Sequence, residues 1–151
     1  MQGSLALTPT YLNLSQVVSA SIRRMNLPEN FKYTKDHEWA QVSEGESVVR
    51  VGITDYAQDA LGDVVFVGLP KIGETVSSGD TFGEVESTKS VSDVFAPISG
   101  KVVAVNSELE SNPELLNTDP YGAGWICEIE FTDKAEVETL MNSSQYEAFI
   151  A

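Results

Sequence analysis

Lys89 stands in Glu84-Val85-Glu86-Ser87-Thr88-Lys89-Ser90-Val91-Ser92-Asp93, one of only nine cationic side chains set against twenty-three carboxylates. A β-prone run, Thr81 to Val85, approaches it, and a second, Val91 to Phe95, leaves it and stops at Ala96-Pro97-Ile98-Ser99-Gly100. The pattern predicts a hairpin with the lysine at its tip. There the amine leaves the sheet, and the small neighbours Ser87, Thr88 and Ser90 leave it accessible. Glu86 and Asp93 are near enough in sequence to help a modifying enzyme dock. Such a lysine can be acylated, which would make the protein a carrier. An ordinary solvated turn lysine fits the spacing equally well. Other chemistry has few candidates. With one histidine, His37, and one cysteine, Cys127, a nucleophilic triad has a single possible base, and no motif recommends it. Cys127 lies in Trp125-Ile126-Cys127-Glu128-Ile129 and reads as a small hydrophobe packed in a strand.

The elements that must present Lys89 are mostly short strands. Ala40–Ser43 and Ser47–Ile53 alternate apolar residues around Glu44-Gly45-Glu46 and predict a hairpin. Thr54 or Asp55 caps a short helix through Tyr56, Ala57 and Ala60, closed by Gly62. Strands follow at 63–69, stopped by Pro70, at 71–76, and at 100–106 after the Lys89 hairpin. Asn112-Pro113 opens one helical turn over Glu114–Asn117. A breaker-rich loop, 119–124, leads into a strand at 125–131. Thr132 or Asp133 then caps a terminal helix with Val137, Leu140 and Met141 at helical spacing, continued by Tyr146, Phe149 and Ile150. The expected fold is mainly β, a sandwich or flattened barrel with short accessory helices and a C-terminal helix.

A chain of 151 residues with 42% hydrophobic content predicts one ordinary globular domain. Its net charge of −14 argues against nucleic acid and anionic membranes as partners. A lone cysteine excludes an internal disulfide and a cysteine-based zinc cluster. No apolar run is long enough to span a bilayer. Residues 1–25 contain no acid, are rich in Ser and Thr, and end near Arg23 and Arg24. They read as a leader or an added extension outside the fold, with the domain at 26–151. A transit peptide is the other reading.

The Lys89 segment resembles the lipoyl-attachment site of the glycine cleavage system H protein family. Lys35-Asp36-His37-Glu38-Trp39 resembles that family's N-terminal motif. Val51 to Asp59 and Leu61 to Val67 resemble its longest. Ala96 to Gly100, Asn112 to Asn117 and Pro120 to Trp125 follow in the same order and spacing. The likeness covers about residues 28–150. It implies a lipoyl/biotinyl-type β-fold (a barrel-sandwich hybrid) and a non-catalytic carrier with lipoate on Lys89. Its arm would take an aminomethyl group from a PLP-dependent glycine decarboxylase and give it to a tetrahydrofolate-dependent aminomethyltransferase. Dihydrolipoamide dehydrogenase would then reoxidise the arm, and lipoate-attaching enzymes are further partners. Tethering keeps the reactive group at high local concentration.

The resemblance also implies a cleft that shelters the loaded arm, with Glu38 as its carboxylate, Asp93 as a second acid and Asp36 at a small polar position. Otherwise Glu38 is an exposed acid at a strand start and Asp93 a turn residue binding its own backbone. His37 is expected as a hydrogen-bonded surface residue and Trp39 as core. Thr88 departs from the family's more usual Val, and Ala60 stands where some relatives carry a histidine. A biotinyl domain, whose lysine is typically flanked by methionines, and a 2-oxo acid dehydrogenase lipoyl domain are the competing carrier readings. An unmodified acidic binding module is the reading from another class. A monomer in the bacterial cytoplasm is expected, or in the mitochondrial matrix if residues 1–25 are a transit peptide.

Overall fold

The computed structural model describes residues 25–42 and 45–151. Two antiparallel sheets, neither closed on itself, form a sandwich rather than a barrel. The larger has the order β1-β2-β3-β9-β8-β5, and the smaller β4-β6-β7. Strands β1 (Lys32–Tyr33), β2 (Glu38–Val42) and β3 (Val48–Ile53) form a meander. The turn between β2 and β3 uses Gly45 at φ 78°, a conformation glycine adopts without a Cβ penalty; Ser43 and Glu44 lie outside the described residues, as does the predicted leader up to residue 24.

Helix α1 (Asp55–Leu61) begins where Thr54 Oγ1 accepts the Ala57 N–H and ends at Gly62, whose N–H donates to the Gln58 carbonyl. Strands β4 (Val64–Gly68), β6 (Thr81–Ser87) and β7 (Val91–Phe95) make the smaller sheet. The larger sheet is completed by β5 (Thr75–Val76), β8 (Gly100–Val105) and β9 (Cys127–Phe131). A 3-10 turn at Ser107–Glu110 and helix α2 (Leu115–Thr118) connect β8 towards β9.

The predicted strand at 71–76 shrinks to its last two residues, and that at 125–131 starts at Cys127. The terminal helix is two helices, α3 (Lys134–Glu138) and α4 (Ser143–Ile150). Between them Met141 exchanges both backbone hydrogen bonds with Tyr33 (2.8 and 2.9 Å), so its peptide groups serve a β-bridge rather than a helix. Asn142 then restarts the helix through a capping box with Gln145, which satisfies amides that the new N-terminus would otherwise leave unpaired.

Two apolar clusters result. The larger fills the space between sheets with Val49, Val51, Val85, Ile98, Val102 and Ile129, among others, and includes Cys127. The smaller is aromatic: Phe31, Tyr33, Trp39 and Tyr146. Gly52 lies against the Trp39 indole, where a methyl group would come within 2.6 Å of the ring. The indole N–H donates to the Pro120 carbonyl at 3.0 Å.

Candidate functional site

Lys89 occupies the exposed tip of the β6–β7 hairpin. One hydroxyl organises the turn: Ser87 Oγ accepts the backbone N–H groups of Lys89 and Ser90, both at 3.1 Å. Ser87 N–H donates to the Ser90 carbonyl (2.8 Å), and Thr88 N–H donates to the Asp63 carbonyl (3.0 Å). The second contact fixes the tip to the residue that precedes β4. The lysine stem lies over Gly62 at the end of α1. A methyl group on Gly62 would stand 3.0 Å from Lys89 Cε, and its φ of 83° also favours glycine.

Beside this tip a cleft of about 350 Å³ runs between α1 and β7, within the range of about 300–1,000 Å³ usual for small-molecule sites. Tyr56, Leu61, Val85 and Val91 give it apolar walls, and Asp36, His37 and Asp93 bring polar groups. Exposed Ala60 adds only a methyl to the α1 side. Asp93 lies within β7, opposite Glu84, so its alternative as a turn residue does not hold. Asp36 is exposed, in the β1–β2 turn.

Glu38 is not an exposed strand-start acid: it is 2% exposed. Its Oε1 accepts the Thr34 hydroxyl at 2.6 Å and its Oε2 the Phe95 N–H at 3.1 Å. The carboxyl thus joins the β1–β2 turn of the larger sheet to the end of β7 in the smaller. Burial pushes its pKa up to about 7, against the lowering effect of the Thr34 and Phe95 hydrogen bonds and with a small push from Asp36. Its sequence neighbours Asp36 and His37 line the cleft, while Glu38 itself sits beneath that wall.

Sequence reasoning placed His37 at the surface. It is half-buried, lines the cleft, and adopts φ 72°, uncommon for a residue with a side chain. Its carbonyl accepts the Thr54 N–H (3.0 Å) and its Nδ1 lies 2.7 Å from the Tyr146 hydroxyl. That hydroxyl also lies 2.8 Å from Thr54 Oγ1. Tyr146 and Thr54 carry no local signal for such a role, because the contact to His37 spans 109 residues of chain. Among the described residues no group of three or more His, Cys, Asp or Glu is placed to hold a metal ion.

A family model described as glycine cleavage H-protein matches residues 31–151. The glycine cleavage system H protein of Listeria monocytogenes is 53% identical over 123 residues, covering 82% of this chain and 97% of that protein. That of Mycobacterium bovis is 62% identical over 115 residues, covering 76% and 84%. The crystal structure of a glycine cleavage system H protein from Mycobacterium marinum superposes with a TM-score of 0.74 at 48% identity, covering 81% of this chain and 97% of that one. With the hairpin lysine, the adjoining cleft and the motifs all in register, the chain belongs to the glycine cleavage system H protein family.

Proposed function

We propose that Lys89 carries lipoate and that the cleft between α1 and β7 receives the arm. The observation behind this reading is the placement of an exposed lysine on a hydroxyl-braced turn, with the next residues, Ser90 and Val91, lining the cleft. The residues present suit a lipoyl group. Acylation replaces the ammonium by a neutral amide, and an acyl chain finds the apolar walls of Tyr56, Leu61, Val85 and Val91. When attached, the group would supply a dithiolane disulfide, one sulfur of which would accept the electron-rich aminomethyl unit as the S–S bond breaks and the other sulfur leaves as a thiol; the dithiol left once the unit is passed on would then be reoxidised.

The protein's own residues do the sheltering. Asp36 and Asp93 put negative charge on the cleft, where a cationic end of the cargo makes charge-assisted hydrogen bonds. Glu38 sits beneath, ready to accept such a bond if the turn residues move aside. The walls exclude water from a group that open solvent would hydrolyse. Catalysis belongs to the partners: the PLP-dependent glycine decarboxylase, the aminomethyltransferase and dihydrolipoamide dehydrogenase, with a lipoate-attaching enzyme acting first. The carrier domain is residues 26–151, and it works as a monomer in the bacterial cytoplasm.

Peptide mass spectrometry after expression in a lipoylation-competent host tests the assignment. A lipoyl increment on the Lys89 peptide, absent from Lys89→Arg, is expected. Persistently unmodified wild-type protein would sink it.

A further inference from the structure

Thr54 Oγ1, the Tyr146 hydroxyl and His37 Nδ1 form a chain with steps of 2.8 and 2.7 Å. Thr54 and Tyr146 have no exposed surface. A hydroxyl has one hydrogen to donate, and buried donors in folded proteins find partners. Thr54 Oγ1 already accepts the Ala57 N–H that caps α1 (3.1 Å), and the Tyr146 oxygen is the acceptor beside it. Thr54 therefore donates to Tyr146, and Tyr146, its own oxygen engaged, donates to His37 Nδ1. The opposite direction, with Nδ1–H donating to Tyr146 and Tyr146 to Thr54, leaves the Thr54 hydrogen buried without an acceptor. This network assigns the tautomer: Nδ1 is the acceptor and Nε2 carries the hydrogen. Burial holds His37 below the usual imidazole range, against the raising effect of Asp36, which favours the neutral ring.

Nε2–H has no hydrogen-bond partner among the described residues, on a side chain that lines the cleft. The ring is held there from three directions. Tyr56 packs against it at 4.7 Å and Phe149 of α4 at 6.0 Å between centroids, while Tyr146 holds Nδ1. A fixed donor on a residue that lines a cleft with both apolar and polar walls discriminates by what it meets, because an unsatisfied N–H is penalised on burial. The geometry points to His37 as the arm-holding donor of the cleft: helix α4, through Tyr146, fixes its tautomer so that Nε2–H binds an acceptor atom of the acyl arm on Lys89. That acceptor is the amide oxygen joining the arm to the lysine, or a sulfur at its far end. The inference rests on the proposed attachment at Lys89.

The chain has a single histidine, so ring-¹⁵N-labelled protein gives one unambiguous pair of nitrogen signals. In unmodified protein at neutral pH the Nε2–H tautomer is expected to dominate; a dominant Nδ1–H form overturns the relay. Tyr146→Phe should return the ring to a mixture of tautomers. Thr54→Val, which keeps the Tyr146 hydroxyl, serves as a second variant should Tyr146→Phe fold poorly, and should weaken the same preference. Three forms are then compared: unmodified, octanoylated and lipoylated at Lys89, each verified by mass. An acyl group is expected to move the Nε2–H resonance and slow its exchange with water by about tenfold, as one modest hydrogen bond would. A response to both acyl groups identifies the amide oxygen, and a response to lipoyl alone identifies a sulfur. Acylated protein with an unchanged Nε2–H signal overturns the arm contact while the attachment stands. Failure of Lys89 to take any acyl group overturns the attachment and the arm contact together, and the tautomer in unmodified protein still decides the relay.

Discussion

Around Trp39, the rings of Phe31, Tyr33, Trp39 and Tyr146 are packed out of solvent, and the Tyr33, Trp39 and Tyr146 polar atoms have hydrogen-bond partners. Tyr33 stacks on Tyr146 with 4.8 Å between centroids and donates its hydroxyl to the Pro28 carbonyl at 2.7 Å. Around Lys89 the reverse holds: residues 88–93 are all exposed, and a single serine hydroxyl with a few backbone bonds shapes the turn. One region is held by burial, the other by local hydrogen bonding. The difference suits the proposed carrier role, in which an arm on Lys89 would reach other proteins' active sites while the wall proposed to shelter its cargo stays put. It also means that substitutions in the two regions should separate modification from stability.

The largest effect expected is on modification alone. Lys89→Arg removes the lipoyl increment completely, yet changes unfolding free energy by no more than about 0.5 kcal/mol, as an exposed site should; mass spectrometry and urea denaturation read the two quantities. Trp39→Ala sharpens the contrast from the other side. Loss of a fully buried indole costs about 3–5 kcal/mol, seen as a lower urea midpoint, while any molecules that remain folded still accept lipoate.

Glu38 gives the next effect. Burial pushes its carboxyl pKa up from the usual 4.5 to about 7, so the native state retains a proton that the unfolded chain has already released. The stabilisation is fully present below about pH 4.5 and is lost as pH rises through about 7. Relative to Glu38→Gln, wild-type stability should fall across that window by on the order of 3 kcal/mol. Parallel denaturation curves at several pH values measure the difference, and a constant gap would remove Glu38 as its source. The smallest effect belongs to Ser87→Ala. Loss of the turn-bracing hydroxyl should speed amide hydrogen exchange at Lys89 and Ser90 while lowering global stability by about 1 kcal/mol or less.

The tip was legible in the sequence because its determinants are local. Alternating residues, small turn residues and the Ala96-Pro97 stop define β6 and β7 without help from the rest of the chain. Glu38, Asp36 and Asp93 entered as candidates through family resemblance, since nothing in the spacing of three acids among twenty-three singles them out. The burial of Glu38 was not legible, because it depends on the Phe95 N–H, 57 residues away. Strand β1 and the break between α3 and α4 escaped for one shared reason. Each depends on a tertiary pairing: β1 is a strand through its ladder with β2, and the Tyr33–Met141 bridge overrode an apolar spacing that would otherwise have continued the helix.

The sheet order also has a consequence for how the chain reaches this state. Strand β3 pairs with β9, and the Arg50–Glu128 ion pair across them joins residues 78 apart in sequence; β6 and β7 are joined by a three-residue turn. Closing a long loop costs more chain entropy than closing a short one, and non-local pairing slows folding. The Lys89 hairpin is therefore among the least demanding parts of the molecule to assemble, and the wall around His37 and Glu38 among the most. During folding, the proposed point of attachment can take shape before the shelter proposed for its cargo.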